Sequence, residues 1–152
     1  MNLDTFARAF GRNPTLYSII LGILGAAIGT VLWFIFVVFT GWQFGIIAIL
    51  VGIIVGYAVL LGSGNNGGQK FQWISVALTF VGMFVSEYIL NWYFAREYLL
   101  EEGYTGVSMF LPLDVIVGIV IDSLKNEPLT LLFWAIALYE AYKIPKMQPR
   151  IQ

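Results

Sequence analysis

The stretch GIIAILVGIIVGYAVLLGSGNNGG, Gly45 to Gly68, decides the fold. It holds seven glycines and no charged residue. Gly45 to Gly62 reads as a buried helix, and Ser63 to Gly68 as a loop. Gly45, Gly52 and Gly56 are poor helix formers in water, where each interior glycine costs about 1 kcal/mol relative to alanine. Three readings explain their presence: a phosphate-binding loop, an ion filter, or close packing of helices in lipid.

The phosphate reading fails on context. Gly62-Ser-Gly64-Asn-Asn-Gly67 matches G-x-G-x-x-G, and Glu87 follows twenty residues later. A dinucleotide site needs a strand before that loop and a soluble βαβ unit around it. Here a lipid-length apolar run precedes the loop and another follows. A Walker loop needs Gly-Lys-Ser/Thr, and Gly67-Gly68-Gln69-Lys70 does not supply it. Val55-Gly56-Tyr57 matches the centre of a potassium filter, but a filter needs an extended re-entrant backbone. This triplet lies inside an apolar run of helix length.

Packing remains. Ala48, Gly52 and Gly56 recur at intervals of four and share one helix face, with Gly45 close to it. Gly22, Gly25 and Gly29 form a similar strip in the preceding apolar run. Lipid tails are as apolar as leucine, so helix association in a bilayer relies on close backbone approach, which small residues permit. The two strips are expected to meet within one chain or across a subunit interface.

Composition agrees. Of 152 residues, 59% are hydrophobic and 11% charged, about half the charge content of a soluble domain. The net charge of −1 offers no basic field for nucleic acid. Without cysteine there are no disulfides, thiolate nucleophiles or cysteine zinc sites, and without histidine there is no catalytic triad. No metal, cofactor or enzymatic activity is expected. The apolar run after Pro14 is longer than a signal-peptide h-region, so it reads as a retained span.

Working outward, the pattern predicts an all-α integral membrane protein with four transmembrane helices and short interfacial helices. Residues 1–14 read as an interfacial helix, with Leu3, Phe6, Ala7 and Phe10 on one face. The spans are expected at 15–39, 44–61, 71–95 and 128–144. The third continues as helix towards Glu102, where Gly103 and Gly106 break it. Between Asp114 and Asp122 lie only seven apolar residues, too few to span, so 113–124 reads as a short outer helix with Asp114 near its N-cap. Residues 146–152 form a polar tail.

Lysine and arginine set the orientation. With the N-terminus inside, Arg8, Arg12, Lys70, Lys143, Lys146 and Arg150 are inner, and only Arg96 and Lys125 outer. Both termini are therefore expected inside, in a prokaryotic plasma or inner membrane. Trp73, Tyr17, Tyr139 and Tyr142 then mark the inner interface, and Trp42, Trp92 and Tyr93 the outer one.

The third span carries Ser75, Thr79, Ser86, Glu87 and Asn91 on or near one face. A polar stripe on a spanning helix faces protein or water. These five are candidate lining residues for an ion pathway. Glu87 alternatively bonds a tyrosine, an asparagine or a neighbouring helix, or reaches the outer water. Glu101, Glu102, Asp114 and Asp122 form an outer acidic cluster, which either attracts cations or is simply solvated. Glu140 and Lys143 are expected to pair near the inner interface.

Much of the chain after Pro14 resembles a group of small, poorly characterised prokaryotic multi-spanning membrane proteins. The resemblance rests on T-G-x-x-x-G-x-x-A-x-x-x-G-x-x-V-G-x-A, here Thr40, Gly41, Gly45, Ala48, Gly52, Val55, Gly56 and Ala58, and on the glycine-rich loop. PLTLLFWAIALYEAYKIP, Pro128 to Pro145, is similar to their last span. Some members carry a cysteine zinc ribbon that this chain lacks. The resemblance implies a membrane protein and brings no activity with it.

The leading expectation is a non-enzymatic, homo-oligomeric membrane module forming a cation or proton pathway. A structural or assembly protein packing through its glycine strips is the alternative. The expected partners are the bilayer, further copies of the chain and cations.

Overall fold

The computed structural model describes residues 13–41, 45–104, 112–126 and 128–146. The N-terminal interfacial helix and the polar tail beyond Lys146 lie outside the described residues, as does most of the turn before Gly45. Every described element is helical: α1 (Pro14–Thr40), α2 (Ile46–Gly62), α3 (Gln69–Glu101), α4 (Leu113–Asn126), α5 (Pro128–Lys143) and a 3-10 turn, Ile144–Lys146.

The ends of these helices follow local chemistry. Pro14 opens α1 and Pro128 opens α5, where the missing N–H removes nothing. Helix α2 closes in a Schellman motif: Asn65 N–H donates to Leu60 O and Gly64 N–H to Leu61 O, both at 3.0 Å. Gly64 occupies the left-handed region at φ 68°. Helix α3 closes the same way, with Tyr104 N–H on Leu99 O and Gly103 N–H on Leu100 O, and Gly103 at φ 85°. Gly103 thus breaks α3 as the sequence predicts, while Gly106 lies outside the described residues. Asp114 falls in the first turn of α4 rather than at its cap.

Four helices form an antiparallel bundle. α2 and α3 are its central pair, with α1 against both on one side and α5 against both on the other. α1 and α3 run parallel with a constant offset: Thr15 pairs with Lys70 and Thr30 with Ser86, 55 and 56 residues apart. α1 and α2 are antiparallel, with Gly22 against Val59, Gly29 against Val51 and Gly62 against Ser18. α3 and α5 are antiparallel, through Gln72 Nε2 donating to Tyr142 O at 3.0 Å and the Phe80–Trp134 ring pair at 5.9 Å. α4 touches α3 and α5 lightly beyond one end of the bundle.

The glycines explain the packing. A Cβ at Gly25 would stand 2.8 Å from the Ala58 Cβ, and one at Gly45 2.5 Å from the Phe133 ring. At Gly52 it would collide with the Ala137 carbonyl, and at Gly56 it would meet Ile144 at 2.9 Å. The strips therefore pack inside one chain, but not on each other. The α1 strip receives α2, and the α2 strip of Gly45, Ala48, Gly52 and Gly56 lies on the α5 side. Ala48 is fully buried with Val51, Val55, Trp134 and Ala137.

Among the described residues, two helices are long and apolar enough to cross a membrane, α1 and α3. α2 has 17 residues and α5 has 16, about 25 Å of helix each. Only 28% of the most apolar stretch of α1 is buried, and 33% of that of α3. Many of their bulky side chains, among them Ile23, Leu24, Ile28, Val31, Phe80 and Val81, are exposed. Most of their buried positions are small or polar: Ser18, Gly22, Gly25, Gly29 and Thr30 on α1, beside Trp33 and Val37, and Gln72, Ser75, Thr79, Gly82 and Ser86 on α3, beside Met83 and Leu90.

Candidate functional site

The polar stripe of α3 lies inside the bundle. Gln72, Ser75, Thr79 and Ser86 are buried, and Glu87 and Asn91 are half-buried further along α3. The spacing that defines the stripe also points it at α1, α2 and α5, because side chains three and four residues apart share a helix face.

Its C-terminal half is knitted to α1. Ser86 Oγ donates to Thr30 Oγ1 at 3.0 Å, or to its own helix at Gly82 O at 2.8 Å. Thr30 Oγ1 makes a longer 3.4 Å contact with the same carbonyl. Gly82 permits this approach: a Cβ there would stand 3.1 Å from that of Ala26. Asn91 Nδ2 turns back onto the Glu87 carbonyl at 2.8 Å. By the α3/α5 register, Glu87 lies level with the start of α5.

The middle of the stripe differs. Ser75 Oγ and Thr79 Oγ1 are fully buried and have no hydrogen-bond partner. The indole N–H groups of Trp33, Trp92 and Trp134 are likewise buried without one. A buried, unpaired polar group costs about 1–3 kcal/mol, so these atoms are the least satisfied part of the interior. Hydroxyls and indoles can bind water or neutral polar groups. From Gln72 to Ser86 the buried stripe carries no titratable side chain, so acid–base chemistry there would fall to Glu87.

The end of the bundle at the start of α3 is closed by polar contacts. Gln72 bonds the Tyr142 carbonyl, Gly68 N–H donates to Pro145 O at 3.2 Å, and Lys70 Nζ donates to Thr15 Oγ1 at 2.9 Å. The expected Glu140–Lys143 pair is present at 3.8 Å, with both side chains partly exposed. Such a pair contributes little. Lys143 also sits 6.0 Å from the Tyr139 ring centre.

The acids expected to form an outer cluster are not gathered into a ligand set. Glu101, Glu102, Asp114 and Asp122 are all exposed. Among the described residues no three acidic side chains are placed to hold a metal ion.

Ser18, Thr30, Ser63 and Gln72 belong to the buried polar set and are missing from the expected site residues. A signal existed for Ser18, which precedes Gly22, Gly25 and Gly29 at intervals of four, three and four. Gln72 carries no comparable periodic mark, because only the fold of α5 brings the Tyr142 carbonyl to it.

Comparison with protein-family models, with characterised proteins and with solved structures gives no match.

Proposed function

We propose that this chain is a non-enzymatic helical membrane protein, with α1, α2, α3 and α5 crossing the bilayer, that serves a structural or assembly role. The observation that carries this reading is the inverted polarity of the bundle. Aliphatic side chains cover the outside of α1 and α3, while glycine, serine and threonine fill most of their buried positions, beside Trp33, Val37, Met83 and Leu90. A water-soluble bundle buries its large apolar residues instead, whereas lipid rewards small residues at helix contacts. α2 and α5 fall slightly short of a hydrocarbon core about 30 Å thick, a mismatch that modest bilayer thinning absorbs. The stripe on α3 supports the structural role because Ser75, Thr79 and Ser86 are packed against other helices of the same chain.

A pathway for cations or protons is the second reading. The unpartnered hydroxyls of Ser75 and Thr79 favour it, with half-buried Glu87 further out. Cation and proton flux through liposomes containing the purified protein separates the two. The structural reading expects no flux above empty vesicles. Flux that falls in Glu87→Gln would establish the pathway and displace the structural role.

A further inference from the structure

Between α1 and α3, on the outside of the bundle, runs an apolar groove of about 380 Å³. Ala26, Ala27 and Gly82 give it depth, and Ile23, Val81 and Val85 form parts of its walls. Both walls descend to Lys70. On α3, Lys70, Ile74, Leu78, Val81, Val85 and Ile89 recur at intervals of three and four along one face. On α1, Thr15, Ile19, Ile23, Ala27 and Val31 do the same. At the foot of this seam Lys70 Nζ bonds Thr15 Oγ1 at 2.9 Å, on the surface. An ammonium has three N–H donors, and that bond uses one.

We infer that this seam is a binding site for an anionic phospholipid, its phosphate at Lys70 and one straightened acyl tail in the groove. The inference rests on the membrane reading above. Charge selects the leaflet. The Lys70 end of the bundle carries Lys70, Lys143 and Lys146 against Glu140. The other end carries Glu97, Glu101, Glu102, Asp114 and Asp122 against Arg96 and Lys125. An anionic headgroup is drawn to the first and repelled by the second. Leu78 lies eight residues beyond Lys70, about 12 Å along the helix, within the roughly 15 Å depth of one leaflet. The tail enters the groove there and occupies its near part, beside Ile23, Ala26, Leu78 and Val81. Val81 on the rim is 55% exposed, so the groove is open to a tail from the side.

The chain has no cysteine, so single labels report cleanly. Bimane is attached at Val81→Cys on the rim, and separately at Ile28→Cys, a lipid-facing position at similar depth outside the groove. Each protein is reconstituted with brominated phosphatidylglycerol or brominated phosphatidylcholine at equal mole fraction. The rim label should show about a fivefold preference for phosphatidylglycerol, the ratio given by about 1 kcal/mol per lysine at an anionic surface. Lys70→Gln should remove the preference, Lys70→Arg should retain it, and the Ile28 label should show none. Equal quenching by the two lipids at the rim overturns the inference, as does a preference that survives Lys70→Gln. A rim label shielded from both lipids while the Ile28 label is quenched shows protein in the groove and also overturns it. If neither label is quenched, the membrane reading fails and takes the inference with it.

Discussion

Gly52 and Gly118 are both helical glycines, and their surroundings set opposite expectations. A Cβ at Gly52 runs into the backbone carbonyl of Ala137, which cannot rotate away, so α2 and α5 must separate. Gly52→Ala should destabilise the bundle by about 1–3 kcal/mol, the usual range for overpacking, measured by unfolding in mixed micelles. At Gly118 nothing lies within 4 Å of an added Cβ. Gly118→Ala should therefore stabilise α4 locally by up to about 1 kcal/mol, read as slower amide exchange in that helix. Equal effects at the two positions would show that the Gly52 contact is absent. The same comparison explains why the two kinds of glycine in the opening stretch differ. Gly64 is needed for a left-handed turn, and Gly52 for a helix contact.

At the scale of elements, the parallel pair α1 and α3 is held by the buried contacts of Thr30 with Ser86 Oγ and Gly82 O and by long surface complementarity. Ser86 and Thr30 should couple by about 0.6 kcal/mol in a double-mutant cycle of Ser86→Ala and Thr30→Val, the average for interhelical hydrogen bonds in membranes. Coupling near zero would mean that Ser86 bonds only its own helix at Gly82 O. Ser75 and Thr79 have no such bond. Ser75→Ala and Thr79→Val should leave stability unchanged or raise it by up to about 1 kcal/mol in denaturant titrations, because each removes a buried hydroxyl without stranding a partner. A loss of stability would reveal a bond that these side chains make in the bilayer.

For the whole molecule, the antiparallel order of α1, α2, α3 and α5 places the loop after α2 beside the end of α5, joined by Gly68 N–H to Pro145 O. Single cysteines at Asn65 and Lys146 should be labelled by an impermeant maleimide from one side of a membrane, and a cysteine at Gly103 from the other. Labelling of all three from one side would rule out the four-span arrangement. The glycine strips have a similar consequence. Since Gly25, Gly29, Gly45, Gly52 and Gly56 meet helices of their own chain, bulky substitutions there should unfold the protomer rather than change its stoichiometry.

The sequence alone determined the helical class, because apolar runs and turn glycines are local properties. Pro14 and Pro128 as helix starts, the break at Gly103 and the Glu140–Lys143 pair were all legible for that reason. It also determined which face of each helix is small, since an interval of four is enough to align side chains. It left open what each small face meets: Gly52 reads the same whether Ala137 of its own chain or a second subunit lies against it. Tertiary structure decided that pairing, turned Ser75, Thr79 and Ser86 inward, and brought Gln72 to the Tyr142 carbonyl. Those outcomes depend on contacts dozens of residues apart, formed when four helices pack closely enough for backbone to meet backbone. The periodicity of one helix carries no record of which partner comes that near.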